Sequence, residues 1–562
     1  METNNAKSRR PSDAALRESP LYTAESDSLE NGTTQPVDQL HRSLTNRQIQ
    51  WIAIGGSIGT ALFVSIGFGL IEGGPASLLL GFILYSCALA LVNSTLAEMV
   101  VFMPVSGSWM RMASQWVDPS LGFTSSACFF LYEAILIPFE ISALILVLQY
   151  WSDNIPLAAV CVACIVLYGI INVFTVRWYG ETEFYLATGK VVLILMLFGY
   201  TFVTMVGGNP KHDAYGFRYW RDPGAFATYV TNGNLGRFEG FLGAFFQGSF
   251  TIVGPEYIGM VSGEAIYPRK TIKDAFKTVY WRFGCFYILG ALCVGIVLPY
   301  NDPTLNRLLG NGDTGNAGAS PYVIAMQNMA IDVLPDLTNA LMVTSIFSAG
   351  NSYVYAATRT LYAMALDGHA PRILAKVTRR GVPIYAFGVT MMFPFLSFLS
   401  VGSSASSGLR WLSNVTQAAQ LLNYIFMCLT YLFFYRALRV QGYDRANLPY
   451  RGWGQPYVAW AGLIIMIGTL AAYGYTVFLP GGWWNVGTFF TYYAMVFVCI
   501  IFYVGFKVIK RTRFVPPEEA DLVWERPRID AHEAETEPPR GIWEDSRRAL
   551  GARWKARKRG EA

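Results

Sequence analysis

Charge is scarce in this sequence. Asp, Glu, Lys and Arg make up 14% of its 562 residues, against 53% hydrophobic residues and a mean hydropathy of +0.33. A water-exposed globular surface brings charge to about 25%, so an ordinary soluble domain is excluded. Histidine is rarer still: His41, His212, His369 and His532 are scattered, and no metal-ligand spacing links them to other residues. No phosphate-binding Walker sequence occurs, and Gly67, Gly69 and Gly73 lie in an apolar run with the wrong spacing for a nucleotide. Neither an enzyme nor an ATP-driven pump is expected, and neither a metal nor another cofactor. The first 45 or so residues lack the apolar core of a secretory signal. The net charge of +5 gathers in loops and tails and does not point to nucleic acid.

What the chain has instead is long apolar runs. A span needs roughly 20 apolar residues, and about twelve segments qualify, near 48–70, 76–101, 121–149, 156–177, 182–206, 240–262, 280–299, 335–364, 383–401, 411–435, 457–479 and 487–507. The expected organisation is a polar tail over 1–46, a twelve-helix body over 47–507 and a second polar tail over 508–562, both tails flexible. The fold class is therefore an all-α polytopic membrane protein. The loops after spans six, eight and ten are basic, with Arg269, Lys270, Lys273, Lys277 and Arg282, then Arg372 and Lys376, then Arg436, Arg439 and Arg445. Positive loops face the cytoplasm, which places both termini there. Tyr150, Trp151, Trp220, Trp411, Trp483 and Trp484 sit at span ends, as interfacial anchors do. All eight cysteines fall inside apolar segments and are expected to be buried packing residues; Cys161 and Cys164 have redox-motif spacing without its setting.

Two spans are interrupted. The first carries Gly55-Gly56-Ser57-Ile58-Gly59-Thr60-Ala61, the sixth Phe250-Thr251-Ile252-Val253-Gly254-Pro255-Glu256. Backbone in lipid must satisfy its own hydrogen bonds, so such breaks are tolerated only where they face protein or a cavity. Transporters use paired breaks of this kind to present free N–H and C=O groups to a ligand near the midplane; the plain alternative is close helix packing. If spans one and six open two five-helix repeats, the architecture is a five-plus-five inverted repeat with discontinuous helices 1 and 6 and two appended spans. The matching breaks alone carry that expectation.

Ionisable residues inside spans are costly and therefore informative. Lys190 lies about eight residues, roughly 12 Å, into span five; by depth alone, a proton-carrying role and a lysine snorkelling to the interface stand level. Glu256 follows the second break and serves either substrate or structure. Glu133 and Glu140 are seven apart on one face of span three. They read as structural or gating carboxylates, as does Glu264 near a cytoplasmic helix end.

Several motifs, in one order, give the chain a family resemblance. Ile58-Gly59-Thr60-Ala61-Leu62-Phe63, Glu98-Met99-Val100, Pro104-Val105-Ser106-Gly107 and Pro138-Phe139-Glu140 are followed by Gly263-Glu264-Ala265 with Pro268-Arg269-Lys270. Tyr355-Ala356-Ala357-Thr358-Arg359, Leu412-Ser413-Asn414-Val415-Thr416 and Leu448-Pro449-Tyr450 with Gly454-Gln455-Pro456 complete the set. From Leu44 to Lys507 the chain resembles the fungal amino acid permeases of the amino acid, polyamine and organocation superfamily.

The resemblance implies a secondary active transporter importing amino acids or related amines by proton symport and alternating access, with the proton gradient as energy source. It implies substrate binding by Gly56, Ser57, Ile58, Gly59, Thr60, Ala61, Phe250, Ile252, Val253, Gly254 and Glu256. Proton-coupled members carry a lysine at the place of Lys190, which favours the coupling role. Two departures stand out: Ala61 replaces a glycine, and Ile252 and Pro255 replace an aromatic and a threonine. A choline, polyamine or carnitine-type transporter of the same fold is thus an alternative, and a nutrient receptor is another. The expected partners are a small amino acid or amine, the bilayer and trafficking or ubiquitination machinery at tail lysines such as Lys7, Lys555 and Lys558. The plasma membrane is the expected location.

Overall fold

A computed structural model describes residues 42–152, 154–174, 176–310, 320–398, 405–479 and 485–536. Lys7, His41, Trp483, Trp484, Lys555 and Lys558 lie outside these residues. Helix α1 (Asn46–Ser57) opens on a capping box in which Thr45 and Gln48 satisfy each other's backbone N–H groups. Ile58 is extended, and after one wide turn over Ala61–Ser65 the helix resumes as α2 (Ile66–Phe102). That helix reverses direction at Gly74, so it holds the end of the first crossing and the whole of the second.

A short helix α3 (Ser108–Trp116) leads to α4 (Pro119–Leu148), capped by Asp118 with Pro119 in the first turn. Next come α5 (Leu157–Phe174) and α6 (Val176–Met205). The sixth crossing is α7 (Gly233–Thr251) and α8 (Pro255–Val261), separated by the second break. The seventh joins α9 (Pro268–Arg282) to α10 (Leu289–Val297) through a wide turn. A short α11 (Pro321–Asn328) precedes α12 (Leu334–Leu366), α13 (Ile384–Thr390) with its extension Phe393–Phe398, α14 (Ala405–Val440), α15 (Tyr457–Ala472) and α16 (Val486–Lys510). Among the described residues six helical runs are long and apolar enough to cross a membrane, and with the shorter apolar helices they follow the expected order of spans, the first and the sixth interrupted. Apart from a single bridge between Leu44 and Ala265, the described residues contain no β-structure.

Apolar side chains coat these helices on all sides, as a bilayer solvent requires. Leu195, Phe202, Ile464 and Ile501 are exposed at 60–67%, while a continuous core from Leu44 to Ile529 is sealed from solvent. Two cysteines depart from expectation. Cys87 and Cys285 are exposed, on helix faces turned outward; the other six are buried.

The second tail departs further. Residues after Lys510 fold back and strap the helix ends. Val515 N donates to Val117 O at 2.8 Å, Trp116 Nε1 to Asp521 O at 2.7 Å, and α17 (Arg526–Glu535) buries Ile529. Polar composition suggested flexibility, whereas Leu522, Trp524 and Ile529 supply three apolar anchors in a charged segment. Arg282 departs too. It was counted as a loop charge, yet α9 begins twelve residues before the expected span and carries Arg282 into the interior at 5% exposure.

Candidate functional site

Where the first crossing is interrupted, its carbonyls lose their helical partners. The Lys190 ammonium on α6 takes up two of them, donating to Gly55 O at 2.5 Å and Ile58 O at 2.6 Å. Lys190 is fully buried, so it does not snorkel. It stands between two buried carboxylates, Glu140 on α4 and Glu183 two turns earlier on the same face of α6, both within electrostatic reach. The Thr60 hydroxyl donates to Glu140 Oε2 at 2.5 Å and the Thr60 N–H to Glu140 Oε1 at 3.4 Å. Ser348 on α12 donates to Glu183 Oε1 at 2.5 Å. Lys190 and its two acids thus tie the broken backbone of the first crossing to α4, α6 and α12.

Close approach explains Gly59: a Cβ there would come within 2.6 Å of Glu140 Oε1 and 3.0 Å of the Ala349 Cβ. Gly56 lies beneath the Tyr257 ring, and the Ser57 hydroxyl turns back onto Ala53 O at 2.7 Å. Ile58 and Thr60 are fully buried, and Ala61 is half-buried in the wide turn.

The second break is built differently. Gly254 has φ +153°, a conformation that penalises any side chain, and its N–H donates to Glu256 Oε2 at 3.2 Å. Pro255, with no N–H to lose, starts α8. Glu256 accepts from the Tyr424 hydroxyl at 3.1 and 3.2 Å. One side chain joins the two breaks: the Tyr287 hydroxyl lies 2.6 Å from Ser57 O and 3.2 Å from Val253 O. Beside it Arg282 donates to Ala53 O at 2.7 Å and lies near Glu256. Ile252 is fully buried. Phe250 meets Phe139 edge to face, 5.5 Å between centroids.

Glu133 is fully buried toward the α8 side of Glu140. Its ionisable neighbours are Tyr257 and Glu256. Glu264 pairs with Arg359 at 2.9 Å, both buried, and the guanidinium lies 4.1 Å over the Tyr355 ring. Among the predicted residues, then, those around the two breaks converge with Lys190, Glu140 and Glu133, and Glu264 sits apart at the helix ends. Glu183, Tyr287, Arg282 and Tyr424 were not singled out from the sequence. A signal existed for Glu183, seven residues before Lys190 and on its face, but it falls at the polar edge of span five. The others pair across large sequence separations that no local pattern reports.

On the side away from Glu264, an open cleft lies against the Phe139–Phe250 pair. Its lining includes Ser65, Glu72, Gln247 and Gln417 with several aromatic rings.

A polytopic helical protein with two discontinuous helices meeting around buried polar groups belongs to the transporter architectures. Comparison sharpens this. The sequence matches the amino acid permease family over residues 48–516. It is 45% identical to the general amino acid permease AGP2 of Saccharomyces cerevisiae, covering 89% of this chain and 84% of that one. It is 36% identical to a proline-specific permease of the same yeast, covering 91% and 83%. In fold it is similar to the manganese transporter of Eremococcus coleocola, with a TM-score of 0.50 at 13% identity over 87% of this chain and 95% of that one. This chain belongs to the amino acid permease family: it is an integral membrane protein of amino acid transport, and its relatives are permeases rather than enzymes.

Proposed function

We propose that this protein imports an amino acid or related amine by proton symport and alternating access, driven by the proton gradient without a bound cofactor. One observation carries the reading: the Lys190 ammonium holds the two carbonyls freed at the first break. Protonated, Lys190 pins α1 to α6. Once the proton leaves, the nitrogen keeps fewer donors and the half-helix is released. Glu183, through Ser348, passes the same change to α12. The substrate carboxylate docks on the N–H groups of Gly59, Thr60 and Ala61 as Glu140 withdraws, and its amino group meets the carbonyls beside Gly254.

The cleft side faces outward, and the side of Glu264 faces the cytoplasm with both termini. The plasma membrane is the favoured location, and tail lysines are the points where trafficking machinery would act.

The test is radiolabelled uptake into permease-deficient cells at two external pH values, with proline, lysine, choline and spermidine offered in parallel. Saturable uptake favoured at acid pH is expected. In Lys190→Ala it falls to background while delivery to the surface is retained. Wild-type uptake by Lys190→Ala would rule out the coupling role.

A further inference from the structure

The cleft has a chemical character of its own. Among the described residues that line it, half are aromatic, one, Glu72, is acidic and none is basic. Four of the rings pack in a row along the lining: Phe246 meets Tyr473 at 5.7 Å and Tyr475 at 6.3 Å between centroids, and Tyr473 meets Tyr492 at 4.9 Å. Ring faces attract a cation within about 6 Å, most strongly where water is excluded. Two of the amide side chains of the lining are already engaged. Gln417 donates to Phe246 O and Ser249 Oγ, both at 2.6 Å, and Asn414 Oδ1 accepts from Tyr473 at 3.1 Å.

Near these rings a second acid adds to the field. Tyr475 lies within electrostatic reach of both Glu72 and Glu239. Glu239 itself is held by the Thr231 N–H and hydroxyl, each at 2.8 Å. The buried Tyr475 hydroxyl makes no hydrogen bond of its own. An anion entering here finds no counter-charge among the described lining residues, whereas an ammonium finds a carboxylate and a wall of rings.

We propose that this cleft is a recognition site for an organic cation, an ammonium group bare or methylated. Glu72 is its counter-ion and Phe246, Tyr473, Tyr475 and Tyr492 its cage. The site lies before the Phe139–Phe250 pair and is distinct from the two breaks. The inference rests on the transporter reading for its biological sense, but its test does not require transport.

Full-length protein in lipid nanodiscs is titrated with choline and with its uncharged isostere 3,3-dimethyl-1-butanol, and intrinsic fluorescence is read. Choline is expected to bind saturably and at least tenfold more tightly than the isostere. Glu72→Gln lowers choline affinity at least tenfold with little change for the isostere, and Glu72→Asp restores most of it. If Glu72→Gln does not fold, Tyr475→Leu against Tyr475→Phe makes the same distinction, since only the first removes a ring. Equal affinity for choline and the isostere, an unaltered choline affinity in Glu72→Gln, or no saturable choline binding overturns the proposal. Failed uptake in cells with choline binding intact would count against the transport reading alone. Acid-favoured uptake of an amino acid without choline binding would count against the cleft alone.

Discussion

The two sides of the membrane body are built from opposite materials. On the side of Glu264, buried ion pairs follow one another: Glu264 with Arg359 at 2.9 Å, Glu98 with Arg445 at 2.8 Å, Arg111 with Asp367 at 2.7 Å, and Asp118 with Lys507. A strap from the second tail lies across them, its Asp530 and Glu533 on Arg269 at 2.5 and 3.3 Å. On the cleft side, aromatic rings and one lining carboxylate surround open space. Buried ion pairs give specific geometry at a high desolvation cost, and removing one partner strands a charge. Rings pack without directional demands and part at a lower cost. The difference teaches which side is locked and which is ready to admit a ligand.

Arg359→Ala gives the largest expected effect on this contrast. It strands Glu264 and costs about 3–5 kcal/mol, read as a lower unfolding temperature in detergent and new labelling of cysteines placed beside Tyr355. Replacing both partners, Glu264→Gln with Arg359→Leu, recovers part of the loss. Gly59→Ala comes next, at about 1–3 kcal/mol for forcing a methyl against Glu140 and Ala349, and uptake is the sensitive readout because Glu140 must shift. Thr45→Ala removes the capping box and costs about 1 kcal/mol, visible as faster hydrogen exchange at the start of α1.

The smallest effect concerns pH. Burial alone raises the Asp118 carboxyl, but the Lys507 ammonium, the Ser120 N–H and the Thr512 hydroxyl outweigh it and hold its pKa below the ordinary value. A depressed carboxyl stabilises the fold above its unfolded pKa of about 3.9 and loses that contribution as pH falls through the folded value. The gap in unfolding temperature between wild type and Asp118→Asn should hold from about pH 7 to 5 and close below about pH 4. A gap independent of pH would show that the Lys507 contact is not electrostatic in origin.

Hydropathy made the crossings legible, and the two breaks were legible because glycine and proline mark places where a helix in lipid cannot continue. Lys190 announced itself as a lone cation deep in an apolar run. Partner choice was not legible. Glu98 and Arg445 stand 347 residues apart and Tyr287 reaches a carbonyl 230 residues away, so no window along the sequence holds either relation. Arg282 was hidden by its neighbours, because an arginine at the head of an apolar run looks like a loop charge. The strap was hidden by composition: three apolar anchors dissolve in the average of a charged segment.

The Tyr287 hydroxyl has a mechanical meaning. It reaches Ser57 O at the end of α1 and Val253 O in the break before α8, while the Leu44–Ala265 bridge and the Leu44 N to Glu264 O bond at 2.9 Å join the segments that flank the far ends of the same two half-helices. Two pins make the pair one lever rather than two loose arms. Whatever unlatches the first half-helix therefore carries the second along.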